Sequence, residues 1–333
     1  MKFIKYSSIE NIDNAKLVEK AFLEGHTAIN ISWIAQEKVH GTNFSFICDG
    51  KDVTCAKRTN FIGESESFFG YEIILKRYKT NILEMYSFLK ESMPDLEELT
   101  IFGEYAGPGI QREVDYQEKD FWVFDILLNG NLVDAAFIRF LSSKHGFKIC
   151  PVIAVDNFVN LSNLERAFDS LIPEFNTIAK EHGIPEANST IFGPQPKGKD
   201  NIAEGYVLKP VFPAEFSNKS RVIFKCKNEL FKETGKVKPV KPTPELSNDD
   251  QEFVNTSTAY ITKQRLSNVL SHIGEVKAKD FGKVQGLMMQ DVLNDMNKDG
   301  HNILDYDDPS LIKKMIQKEV QEFIRKDWVN IIC

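Results

Sequence analysis

Glu37-Lys38-Val39-His40-Gly41-Thr42-Asn43 is the stretch on which the reading of this chain turns. Its lysine ends a short strand-like run, Trp33-Ile34-Ala35-Gln36-Glu37-Lys38. A glycine follows three residues later, then two small polar residues. A lysine so placed projects from a rigid edge, and the glycine behind it leaves room for a ligand. Lysine is a nucleophile only as the neutral amine, so nearby cations or desolvation have to lower its pKa. Taken alone, the stretch reads as a polar turn with a surface lysine.

Strand patterns flank it. Residues 43–48 and 51–58 alternate and are joined through Asp49-Gly50, a hairpin signal. A helix is expected near residues 13–24, with Leu17, Val18, Ala21 and Phe22 on one stripe and Gly25 as its stop. Another is expected over 71–89. Residues 100–105 and 121–128 read as buried strands, and Asn129-Gly130 as the next turn. Helical patterns return over 135–144 and 161–180, and strands over 204–209 and 221–227. Pro239, Pro242 and Pro244 among lysines then mark a linker. Beyond it the chain reads helical. Asp308-Pro309 caps a stripe of Leu311, Ile312, Met315, Ile316, Val320, Phe323, Ile324 and Trp328.

Lys38 has company. Polar residues are set into apolar strands at Ala56-Lys57-Arg58-Thr59, Phe102-Gly103-Glu104-Tyr105, Val123-Phe124-Asp125-Ile126 and Glu204-Gly205-Tyr206-Val207-Leu208-Lys209. Alternation in Arg221-Val222-Ile223-Phe224-Lys225-Cys226-Lys227 places Lys225 and Lys227 on one face. Charges in apolar strands are costly unless paired, coordinated or functional. One such case is a core salt bridge. A series in the order Lys, Arg, Glu, Asp, Glu, Lys-x-Lys needs a shared explanation.

That series resembles the motifs of the covalent nucleotidyltransferases, the ligases and capping enzymes that attach a nucleoside monophosphate to a lysine. Lys38-Val39-His40-Gly41-Thr42-Asn43 is most similar to the bacteriophage RNA ligase 2 family, whose members seal nicks in duplex RNA; DNA ligases and capping enzymes have Asp where His40 stands. The similarity runs through residues 54–59, 67–72, 102–109 and 204–210, and on to 279–283 and 308–314. Asn60 stands where a glycine is usual and Trp122 where a tyrosine is common; residues 145–200 have few anchors.

The resemblance implies an α+β fold. An N-terminal nucleotidyltransferase domain of antiparallel β-sheets with flanking helices would cover 1–235, a Pro/Lys-rich linker 236–248, and a small all-α domain engaging nicked RNA 249–333. It implies that Lys38 takes AMP from ATP, passes it to a 5′-phosphate, and that the neighbouring 3′-OH then displaces AMP. Lys225 and Lys227 would hold the α-phosphate. Glu204 would bind Mg2+. Glu104 would accept from a ribose hydroxyl, and Phe124 would stack on adenine. Arg58 would contact phosphate, and Glu37 and Val39 would belong to the nucleotide site. His40, Thr42, Asn43, Asp125 and Lys209 would be orienting or substrate-binding groups. Glu104 and Asp125 have a second reading as partners of buried cations, and Phe124 as plain core. Phe68 and Phe69 read as helix-start core or as RNA contacts, and Arg265 and Asp291 as RNA-end contacts or surface salt-bridge partners. The implied partner is nicked double-stranded RNA or an RNA/DNA hybrid, met by a monomer. A DNA ligase or guanylyltransferase is the alternative enzyme, and an inert RNA-binding protein on this fold the alternative of another class.

Composition fits and qualifies this. The 333 residues carry a net charge of −7, with 42% hydrophobic and 27% charged residues, a soluble globular balance. An acidic total argues against nucleic acid until it is resolved by segment. Residues 219–241 carry eight basic and two acidic side chains, +6, which leaves −13 elsewhere. Such a run is a solvated face or a phosphate-facing strip. No membrane-length apolar run and no secretory signal are apparent. The five cysteines are scattered without a Cys-x-x-Cys, against a disulfide framework or a zinc site, so a cytoplasmic setting is expected, the host cell's for a phage-encoded chain. Asp295 to Gly300 resembles the start of an EF-hand loop, but Tyr306 stands where the bidentate glutamate belongs, so a connecting turn is expected.

Overall fold

Apolar residues at alternate positions pair the N-terminal segments into two sheets. The strands are β1 (Glu10–Asn11), β2 (Trp33–Glu37), β3 (Thr42–Cys48), β4 (Val53–Lys57), β5 (Leu99–Ala106), β6 (Asp120–Leu128), β7 (Asn131–Leu132), β8 (Lys148–Ile149), β9 (Val152–Asp156), β10 (Gly205–Pro210) and β11 (Phe224–Lys227). In the computed structural model, which describes residues 1–63, 66–231, 246–273 and 276–332, one sheet runs β1-β11-β10-β2-β9. The other runs β4-β3-β5-β6-β7, with β8 alongside β6. Pairing is antiparallel except β1 with β11 and β6 with β8. The helices among them are α1 (Ala15–Leu23), α2 (Tyr71–Ser92), α3 (Ala135–Lys144), α4 (Phe158–Ser162), α5 (Ile172–His182) and α6 (Ile184–Ser189). The fold is α+β, with antiparallel-rich sheets, flanking helices and a C-terminal helical region.

The chain divides into two units, Met1–Glu19 with His26–Glu233 and Lys20–Gly25 with Thr234–Cys333. In the first, α2 buries Ile74, Tyr78, Ile82, Met85 and Leu89, one helical face. That face lies against Phe44, Phe46, Ile101, Phe121 and Val123 of the second sheet. The opposite face of that sheet carries the polar residues, and a bulge decides which. Phe102 pairs with Asp125 and Gly103 with Val123, so Phe124 has no partner across β5. An extra residue reverses the alternation beyond it. Val123 and Ile126 therefore both enter the α2 core, and Phe124 and Asp125 are both left on the other side.

Two expectations are corrected. The helical pattern over 161–180 is not one helix: α4 ends at Ser162 and α5 starts at Ile172. Pro173 explains this, because proline fits the first turn of a helix and breaks its interior. The strand over 221–227 begins only at Phe224, since Arg221 is drawn to Asp125.

In the second unit, α7 (Asn248–Thr258), α8 (Lys263–Ile273), α9 (Phe281–Lys298), α10 (Pro309–Arg325) and α11 (Trp328–Ile331) enclose Phe253, Val269, Met288, Val292, Ile316, Val320 and Trp328. The Asp308 side chain accepts from Leu311 N–H at 2.9 Å, the cap expected from Asp-Pro. Asp295 lies in the last turn of α9, paired to Arg265 and Lys298, and the connecting turn follows from Asp299-Gly300. The linker residues 236–245, the boundary near residue 240, and Lys232, Lys236, Lys238 and Lys241 lie outside the described residues.

Candidate active site

Glu204 is the centre of the site. It precedes β10, whose neighbours are β2 and β11, so its carboxylate meets side chains from both. Lys38 Nζ donates to Oε2 at 2.7 Å, and His40 Nδ1 lies 3.0 Å from the same oxygen. Lys227 Nζ sits 2.9 Å from Oε1. Gly205 makes this approach possible. Its φ is +131°, and a Cβ there would lie 2.0 Å from the Cys226 carbonyl. Burial works to raise the Glu204 pKa, but the His40 hydrogen bond and the Lys38 and Lys227 contacts prevail and hold it near 2. It is a buried anion among three nitrogen groups.

His40 is held at three points. Its backbone N–H donates to the buried Tyr116 hydroxyl at 2.7 Å, and its Nε2 lies 3.2 Å from Glu113 Oε2. Gly41 corrects the expectation of ligand room: a Cβ there would lie 2.4 Å from the Tyr105 carbonyl. The space is filled by the chain itself, and the glycine brings the lysine turn onto β5. Gly41 N–H donates to Glu104 Oε1 at 3.2 Å. Burial, only partly offset by Lys38 and reinforced by the charge of Glu204, pushes Glu104 up to about 7.

Beside Lys38 and Glu104 a cavity of about 60 Å³ runs between the sheets, walled by Val39, Phe124, Val207, Lys209 and Tyr6. Its inner end is a buried ionic cluster. Asp125 accepts from Lys209 Nζ at 2.9 Å, from Arg221 at 2.5 and 2.8 Å, and from Tyr6 Oη at 2.5 Å. Burial raises the Asp125 pKa, yet Arg221 and Lys209 outweigh it and hold the carboxyl well below its usual range. Asp125 is thus a partner of buried cations, as its second reading had it, and Lys209, expected as an orienting group, is one of those cations. The Tyr6 ring packs against Phe124 at 4.9 Å between centroids.

Other sequence candidates are placed as follows. Glu37 is 1% exposed and turned away from the Glu204 cluster, accepting from Ser170 Oγ at 2.6 Å and Leu171 N–H at 2.8 Å. Burial pushes its pKa up to about 7. Thr42 and Asn43 open β3 opposite Tyr105 and Glu104. Lys225 pairs with Val207 in the sheet and is half-buried. Arg58 is exposed and, among the described residues, contacts none of this group. Arg265 is engaged by Asp295 and the Tyr260 carbonyl, both within its own unit, while Asp291 is exposed. Tyr6, Glu113, Tyr116, Ser170 and Arg221 were not read from the sequence as site residues; their roles depend on contacts up to 215 positions apart.

A divalent cation fits the chemistry of this donor set. Glu204 offers hard carboxylate oxygens, already ionised. Among the described residues no group of three or more His, Cys, Asp or Glu side chains could hold a metal by itself. The remaining ligands would be phosphate and water oxygens, as is usual for Mg2+.

Known proteins similar to this chain are described as RNA ligases. Residues 31–227 match the RNA ligase family, and residues 244–322 match the family described as T4 RNA ligase 2 C-terminal. The chain is 24% identical to the mitochondrial RNA-editing ligase 2 of Trypanosoma brucei brucei over 393 aligned positions, 99% of this chain and 90% of that protein. It is 35% identical to the mitochondrial RNA-editing ligase 1 of Trypanosoma brucei brucei over 81 positions, 22% of this chain and 17% of that one. A Naegleria gruberi RNA ligase solved with PPi is similar over 69% of this chain at 15% identity and a TM-score of 0.47; this chain spans 58% of that one. The chain belongs to the RNA ligase family and is of the RNA ligase 2 type.

Proposed function

We propose that this RNA ligase uses ATP to seal 3′-OH/5′-phosphate nicks in duplex RNA or RNA/DNA hybrids, through lysyl–AMP and RNA–adenylate intermediates. The observation that carries the proposal is the convergence of Lys38, His40 and Lys227 on Glu204 at the mouth of a pocket walled by Phe124.

In the first step Lys38 Nζ attacks the ATP α-phosphorus, forming a P–N bond as the bond to pyrophosphate breaks. Lys38 attacks as the neutral amine, having passed one proton to solvent, and a second N–H proton leaves to solvent as the P–N bond forms. The Lys38–Glu204 contact of 2.7 Å has to be given up for this attack. Lys225 and Lys227 neutralise α-phosphate charge, Phe124 carries the adenine, Glu104 accepts from a ribose hydroxyl, and Arg58 reaches a phosphate. Catalysis of such transfers is chiefly positioning and charge stabilisation. Mg2+, held by Glu204, would supply further positive charge to phosphate oxygens. A 5′-phosphate oxygen then attacks the lysyl–AMP phosphorus and frees Lys38. Finally the 3′-OH attacks the 5′-phosphate phosphorus, loses its proton and expels AMP. The helical unit would grip the duplex by shape and 2′-hydroxyls. Action as a monomer, in the cytoplasm of a phage's host, and contacts of Arg265 and Asp291 to RNA ends belong to the same proposal.

The test is nick sealing on matched duplexes. An RNA nick should be joined faster than the all-DNA equivalent. Sealing of DNA alone would replace this reading with that of a DNA ligase.

A further inference from the structure

Behind the nucleotide pocket lies a second cavity of about 180 Å³. Its walls include Ile34, Ile138, Ile149, Val152 and Val211, and Val155 and Ile191, 47% and 54% exposed, bring apolar surface from its lining to solvent. Arg139 of α3 also lines it. That side chain is exposed, and among the described residues its guanidinium makes no hydrogen bond or ion pair. Gln36, Phe124 and Lys209 line both cavities, so the partition is one side chain thick.

We propose that this cavity is a binding site for a small aromatic monoanion, one ring bearing a carboxylate, whose occupancy opposes nucleotide binding. Size sets the ring: a dry cavity of about 150 Å³ holds benzene. The lining sets its apolar character, and Arg139 sets the charge, since a guanidinium pairs with a carboxylate through two hydrogen bonds. Such a site has the usual build of a ligand pocket, mostly apolar walls with a few polar groups, here Gln36, Ser189, Thr190 and Lys209 beside Arg139. The opposition follows from volume. The nucleotide pocket, at about 60 Å³, is smaller than an adenine requires. Its wall has to retreat, and Gln36, Phe124 and Lys209 back onto this cavity. An occupant there resists the retreat, and the coupling is reciprocal. The coupling rests on the proposed nucleotide site; the binding itself does not.

The probe is para-fluorobenzoate, followed by fluorine NMR with the full chain, and ATP binding is followed by calorimetry. Saturable line broadening is expected, with affinity reduced at least about fivefold in Arg139→Gln. Neutral fluorobenzene should bind both proteins alike, which shows the cavity intact. Saturating para-fluorobenzoate should raise the ATP Kd about threefold, to a plateau. No saturable broadening, or equal affinity in Arg139→Gln, would overturn the site. An ATP Kd that rises without limit would place the probe in the nucleotide pocket and overturn it too. An unchanged ATP Kd would overturn the coupling. If ATP does not bind at all, the nucleotide reading fails while the fluorine result still decides the site.

Discussion

Asp125→Ala strips the buried cluster beside the pocket of Lys38, Glu104 and Phe124 of its one carboxylate. Lys209 and Arg221 then remain as neighbouring cations, with side chains 6% and 8% exposed. Four hydrogen bonds are lost at once, two from Arg221 and one each from Lys209 and Tyr6. Removing one member of a buried pair costs about 3–5 kcal/mol, because the remaining charge is uncompensated. Two stranded cations put the loss at the upper end, about 5 kcal/mol. At about 2–4 °C per kcal/mol for a domain of this size, Tm should fall by roughly 10–20 °C. Thermal unfolding followed by near-ultraviolet circular dichroism measures this. The triple variant Asp125→Leu/Lys209→Met/Arg221→Met should recover most of the loss, since apolar replacement of a whole buried ion cluster is near neutral. A loss below about 1 kcal/mol for Asp125→Ala would refute the reasoning, as would a triple variant no more stable than the single one.

Three further outcomes follow from the geometry. Glu37 has its pKa raised from 4.5 to about 7 by burial. The folded state therefore binds the extra proton between those values, and stability falls as pH rises through that window, by on the order of 3 kcal/mol at most from Glu37; because Glu104 is raised over the same window, Glu37→Gln should about halve the slope in urea unfolding curves collected from pH 4 to 8. Tyr116→Phe leaves the His40 backbone N–H without its acceptor, a cost of about 1–3 kcal/mol, and stopped-time adenylylation should show a lower rate constant with little change in the KM for ATP. Gly205→Ala forces a Cβ to within 2.0 Å of the Cys226 carbonyl, displacing Glu204 from Lys227. A shift of about 1 Å at such a site costs roughly 100-fold in rate, and the adenylylation rate should show it.

The sequence displayed the chemistry more openly than the shape. Lys38, Glu104, Glu204 and Lys227 stand out because charge in an apolar strand needs a reason, and the sheets do bring them to one place. Asn129-Gly130 also reads correctly, as the two-residue turn between β6 and β7. Period-two alternation, however, puts Phe124 and Asp125 on opposite faces; the unpaired position in β6 puts both on the same side, and no local signal marks it. Tyr6 and Arg221 look like an ordinary N-terminal aromatic and a solvated cation until the fold closes 215 positions between them. Gly41 shows a residue type read correctly for the wrong reason: the close approach is to the Tyr105 carbonyl, not to a ligand.

The central claim is that Lys38 carries AMP. Incubation with Mg2+ and ATP labelled at the α-phosphate, followed by denaturation and peptide mass spectrometry, tests it directly. The account predicts one AMP group on Lys38, absent from Lys38→Ala and not formed from labelled GTP. Absence of an adduct, an adduct that persists in Lys38→Ala, or one formed only from GTP would contradict it.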